Sequence, residues 1–230
     1  MPVGSWFSFA IAPGYDGFMK QSNEEKSGYD AAAIAARDAE IHGKPPRIAP
    51  LSEKELSGDA LDLITRLRSS INASAVTEIP EYFRTMVKHP AVFRCALEMG
   101  TVIFKGQVPP RDRELAVLRI GWLSRAPYEW GEHVDIGKRN GVTAEEVERV
   151  IQGSSAPGWS EHDAAILRAV EELMADHMVS DATWATLAKK FSESQLIEFV
   201  TMVGQYVTTG YVQNSLRMRL AKDNPGLTYR

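Results

Sequence analysis

A chain of 230 residues with 44% hydrophobic and 24% charged residues has an ordinary globular composition, long enough to bury a sizeable core in one domain with an extension. A formal charge of -4 gives no general attraction for polyanions and argues against nucleic acid as a partner. The single cysteine, Cys95, excludes an intrachain disulfide and any CxxC redox or zinc motif.

Residues 1–29 are aromatic and glycine-rich without a clear period (Trp6, Phe7, Phe9, Tyr15, Phe18, Tyr29) and read as an arm. No basic segment precedes their apolar start, and no apolar run in the chain approaches ~18–20 residues. A cytoplasmic protein that does not engage a membrane is therefore expected. The stretch "YDAAAIAARDAEIHG" predicts a short helix ending at Gly43, and "KPPRIAP" separates it from the main body. We divide the chain into an N-terminal extension, 1–45, and an all-α domain, 46–230. Helix-start signals then recur as "SEKE" at 52–55, "TAEE" at 143–146, "SEHD" at 160–163 and "SESQ" at 192–195. In each, a Ser or Thr stands three residues ahead of an acid or amide, so that side chains satisfy orphan backbone donors. Proline and glycine punctuate the intervals, and no segment shows sustained two-residue alternation. The expectation is an all-α fold of about eight or nine helices.

"PPRDRELAVLRIGWLSR" opens a helix at Pro109-Pro110 and places Asp112 and Glu114 in or near its first turn, where negative charge is favourable. From Leu115 to Leu123 it is apolar around nearly its full circumference, interrupted by Arg119, which marks an interior helix. After a three-residue link, Pro127 starts a second helix that ends near Asn140-Gly141. At ~100° per residue its residues fall into two arcs. Tyr128, Gly131, Glu132, Asp135, Lys138 and Arg139 face one way. Glu129, Trp130, His133, Val134, Ile136 and Gly137 face the other, so Glu129 and His133 share an apolar arc one turn apart and are expected to look inward. The short link favours antiparallel packing of the two helices, although Glu114, near the start of one, is not thereby guaranteed to meet His133, midway along the other. In the last long helix Glu198, Thr201, Gln205, Thr208 and Thr209 form a stripe suited to a pocket or a subunit contact, and Asn214 is expected to make a structural hydrogen bond. His89, His42, His162 and His177 read as capping or surface residues.

The segment "RDRELAVLR…YEWGEHVDIGKRNGVTAEEVERVI" resembles the carboxymuconolactone decarboxylase family, which includes the AhpD-type alkylhydroperoxidases. The resemblance covers most of residues 48–220, and the interval from Glu114 to His133 is the family's. It implies an AhpD-like helical fold and a homo-oligomer, a trimer or hexamer. In the peroxidase branch a CxxC ends four residues before the histidine. Here Ala126 and Glu129 hold the cysteine positions, so no thiolate is present to attack a peroxide. The resemblance leans instead to the decarboxylase-type branch and to acid/base work.

His133 is the candidate general acid/base, with Glu129 as its partner and Glu114 as a third polar group. Arg119 is the candidate cation for a substrate carboxylate, weighed against a structural role with a buried acid. Tyr128, Trp130 and Gln205 are candidate wall residues. The scheme calls for a small-molecule substrate and no cofactor. A metal held by Glu114, Glu129 and His133 is disfavoured by the lack of a second histidine. The expected function is a lyase, decarboxylase or isomerase acting on a small organic acid or lactone, possibly from aromatic-compound breakdown. The alternative is a non-catalytic oligomeric binding protein that kept the fold without the redox cysteines.

Overall fold

The computed structural model describes residues 31–52, 54–56, 58, 60–62, 64, 65 and 79–230. The arm read at 1–29 lies outside them. Among the described residues the regular structure is helical: α1 (Ala31–Ile41), α2 (Glu81–Met86), α3 (Pro90–Phe104), α4 (Pro110–Leu123), α5 (Pro127–Arg139), α6 (Ala144–Gln152), α7 (Glu161–Asp176), α8 (Asp181–Leu187) and α9 (Glu193–Leu216), with a 3-10 turn at Gly226–Thr228. No helix among these residues is long and apolar enough to cross a membrane.

α4 is the axis of the molecule, packed against α5, α6, α7 and α9. Every residue from Arg113 to Trp122 is buried, as its all-round apolar sequence requires. Its core neighbours include Trp130 and Val134 of α5, Val147 of α6, Ile166 of α7 and Phe199 of α9. The link to α5 is a tight reversal in which Arg125 takes a left-handed conformation (φ 46). The Arg125 N–H donates to Trp122 O and the Ala126 N–H to Gly121 O, and Pro127 then begins the next helix. At the crossing Gly121 lies so near the Trp130 backbone that a Cβ there would sit 3.3 Å from its nitrogen. The Glu198 carboxylate accepts the N–H groups of Gln107 (2.7 Å) and Val108 (3.0 Å), pinning the turn before α4.

Helix starts at 143, 160 and 192 are capped by Thr143, Ser160 and Ser192, the first and last as complete capping boxes. At 52–55 the Ser52 and Glu55 side chains do bond, but Lys54 and Glu55 form a turn. His89 caps α3 as a helix-end residue should. His162 departs from its surface reading: it is buried, its Nε2 is 2.9 Å from Asp112 Oδ2, and its ring meets Phe191 edge-on. The cause is its place in the first turn of α7, on the side that meets Asp112 of α4.

The arc of α5 expected to face water is also largely covered. The Asn224 amide donates to Tyr128 O and to Glu132 Oε1, the Tyr229 hydroxyl to Asp135, and Lys138 to Arg230 O. Residues 224–230 thus strap the outer side of the helix, which is why Gly131 is buried. α1 is tied to the body as well. Ile34 packs on the main core, Arg37 donates to Arg125 O, and Arg219 binds the carbonyls of His42 and Lys44.

Candidate active site

Glu114 lies 11 residues before Arg125, at the reversal, and His133 eight after it. In an antiparallel pair that leaves an axial offset of roughly three residues, ~4.5 Å, which a glutamate side chain can span. The contact the sequence left undecided is made: Glu114 Oε2 is 2.7 Å from His133 Nδ1. Glu129, one turn before His133, places Oε1 3.2 Å from Nε2. The imidazole is thus held between two carboxylates, one on each nitrogen. Glu114 is fully buried, Glu129 is 5% exposed and His133 8%.

The arrangement continues at both ends. Arg113, 3% exposed, donates from Nε to Glu114 Oε1 (2.8 Å) and from Nη1 to Phe104 O (3.0 Å), its guanidinium lying over the Phe104 ring. At the other end Gln213 of α9 donates from Nε2 to Glu129 Oε2 over 2.6 Å. Tyr206, two turns earlier on α9, sets its ring edge-on to the imidazole at 5.2 Å. Arg113, Glu114, His133, Glu129 and Gln213 form one buried chain of polar contacts with balanced formal charge when the imidazole is protonated.

The electrostatics favour that state. Burial pushes His133 toward its neutral form, but the charge and hydrogen bond of Glu114, and then those of Glu129, outweigh it and raise its pKa from 6.5 to about 10. Glu114 is pushed up by burial, yet His133 and Arg113 hold it below its ordinary 4.5. Burial and then the Glu129 charge raise the Tyr82 hydroxyl to about 12 and raise Tyr206 further. For Tyr128 burial comes first and the charge of Glu132 second. Near neutrality the site therefore presents an imidazolium, an ionised Glu114 and neutral phenols.

Of the sequence candidates, Arg119 is placed elsewhere. Arg119 donates to Glu171 Oε1 (2.9 Å) and to the carbonyls of Val150 and Ile151, closing the end of α6. It is a structural cation, because five residues along α4 from Glu114 turn it to another side of the helix. Trp130 lies in the core against Trp122, with its indole N–H on Tyr229 O. Gln205 is half-buried, and from that part of α9 it is Tyr206 that meets the ring. Thr201, Thr208 and Thr209 bond back to carbonyls of their own helix, whereas Asn214 donates to Ser124 O as expected. Arg113, Tyr206 and Gln213 were missed. For Arg113 the available signal was its position beside Glu114 on a helix called interior. Nothing local marks Gln213, 84 residues from its partner.

A sequence model of the carboxymuconolactone decarboxylase family matches residues 90–172, the stretch that holds Arg113, Glu114, Glu129 and His133. Over those residues the chain is similar to the carboxymuconolactone decarboxylase family. No protein of curated function shows a significant match. Among solved structures, an AhpD-core peroxidase-related protein from Ralstonia eutropha JMP134 is 17% identical with a TM-score of 0.65, covering 78% of this chain and 95% of that one. A peroxidase-related protein from Silicibacter sp. TM1040 is 12% identical with a TM-score of 0.64, covering 79% and 96%. A variant of the debrominase Bmp8 in complex with 2,3,4-tribromopyrrole is 14% identical with a TM-score of 0.62, covering 77% and 93%. At these identities the neighbours establish the AhpD-like fold and no more.

Proposed function

We propose that this chain is a cofactor-independent acid/base lyase or isomerase of a small organic acid or lactone, with Glu129 as base, His133 as acid and Glu114 holding the imidazole. The observation that carries the reading is the imidazole ring clasped by two buried glutamates where the peroxidase branch has a thiol pair. A C–H bond beside a substrate carbonyl breaks, and its proton goes to the Glu129 carboxylate. The electron pair delocalises into the carbonyl system, and the His133 imidazolium gives its Nε2 proton to the distal carbon. The proton on Glu129 then returns to His133 along the 3.2 Å contact, which restores the site. In a decarboxylation the departing CO2 leaves the same electron pair, the imidazolium quenches it, and His133 regains its proton from solvent. Arg113 keeps Glu114 ionised throughout.

The test is a panel of lactones, carboxylated lactones and aryl acids, read by CO2 release and ultraviolet change. His133→Gln should abolish turnover while helicity and assembly persist. If no member of the panel is turned over, the non-catalytic binding reading replaces this one.

We also propose a homo-oligomer formed through α9. Ile197, Val200, Gly204, Val207 and Tyr211 recur at alternating spacings of three and four, the seam of a paired helix. Ile197 and Tyr211 are 69% and 64% exposed, and the seam borders a hollow of about 240 Å3 beside Met174 of α7. A second copy suits this face, because an antiparallel pair centred on Gly204 sets Ile197 against Tyr211 on both sides.

A further inference from the structure

Gln213 uses one half of its amide and leaves the other half open. Its Nε2 donates to Glu129 Oε2, and that contact fixes which way the amide points, since a reversed amide would set its carbonyl oxygen against a carboxylate. Oε1 is then a buried acceptor without a hydrogen-bond partner among the described residues, on a residue 4% exposed. A buried carbonyl left so costs ~1–3 kcal/mol, which a donor arriving with a ligand would recover.

The charges nearby are already engaged. Arg113 binds Glu114 and Phe104 O, and both nitrogens of His133 face carboxylates. Arg119, the cation expected to seat a carboxylate, closes α6 instead. With the imidazole protonated the formal charges of Arg113, Glu114, His133 and Glu129 sum to zero. An anion brought beside Glu129 would meet a like charge, and among the described residues no excess cation offsets it. The open group is an acceptor, and it calls for a donor.

We propose that the site takes an uncharged ligand carrying an O–H or N–H donor, bound through Gln213 Oε1 beside Glu129, and that it discriminates against carboxylates. This rests on the acid/base reading and narrows its substrate class to neutral members such as enols, phenols and hydroxylated lactones, keeping the isomerisation and excluding the decarboxylation. Bound in this way, the donor group lies next to the carboxylate that would accept a proton, with the edge of Tyr206 flanking the imidazole.

Phenol and benzoate test it, because they share a ring and differ in a neutral donor against an anion. Each is titrated into the full-length protein carrying isotope-labelled histidine, and the His133 resonances are followed. Phenol should shift them saturably, with benzoate at least about tenfold weaker, a difference of ~1.4 kcal/mol. Gln213→Leu should weaken phenol about tenfold without changing benzoate, with circular dichroism confirming the fold. Gln213→Asn retracts the same amide by one methylene and should give the same loss, so it serves if the leucine variant does not fold. Benzoate binding as tightly as phenol, no response to phenol, or phenol affinity indifferent to residue 213 would each overturn the proposal. Phenol held through Gln213 by a protein that turns over nothing on the panel would sink the lyase reading and leave this one standing. Turnover of carboxylates that ignores Gln213 would do the reverse.

Discussion

His133 carries two carboxylates on one ring, and the proton shared among them governs what the site can do at neutral pH. Its NMR signals should remain those of an imidazolium through neutrality and titrate near 10; a transition near 6.5 would mean the carboxylates do not act on it. Glu114→Gln removes the larger of the two attractions. It should lower the His133 transition and destabilise the fold by ~3–5 kcal/mol, since Arg113 then lies buried without its carboxylate. Urea unfolding measures the second effect. That Glu129 and His133 look inward was legible, because a shared arc with Val134 and Gly137 is set by helical period alone. For Arg119 the sequence left a substrate cation and a structural partner both open, because a cation within an apolar run shows that it is buried, not which acid or carbonyl it meets.

At the level of elements, the caps at Thr143, Ser160 and Ser192 and the exits at Arg125 and Gly141 hold the helices to the lengths their sequences signal. The strap over α5 is the device those signals do not reveal. Asn224 is held at three points, by Tyr128 O, Glu132 and the Gly226 N–H, and it lies directly on Gly131. Replacing a helical glycine by alanine ordinarily stabilises by ~0.5–1 kcal/mol. Gly131→Ala should instead destabilise, because the new methyl would land on the Asn224 side chain. In an Asn224→Ala background the same change should recover its ordinary sign. Thermal midpoints of the four proteins decide it, and the sign reversal itself is the diagnostic.

For the whole molecule, stability should follow the network's protons. His133 has a folded pKa above its ordinary 6.5, so its stabilisation is full below that value and is lost as pH climbs to about 10. Glu114 lies below 4.5 when folded, so its contribution holds above that value and fades as pH falls. Stability from these two groups is greatest between the two ordinary values. Urea midpoints of the native chain and of His133→Gln should converge as pH rises toward 10. Assembly is tested by light scattering after size exclusion, where the native chain should be oligomeric and an Ile197→Glu, Tyr211→Glu variant monomeric; a monodisperse native monomer would end the α9 proposal. The sequence by itself determined the helical class, the helix starts and exits, the interior character of α4 and the inward arc of α5. All of these follow from residues within a turn or two of one another. The tertiary structure alone decided that Glu114 reaches His133, that Gln213 grips Glu129 across 84 residues, and that the chain's end covers α5. Such contacts depend on crossing geometry and side-chain reach between distant segments, which local periodicity does not encode.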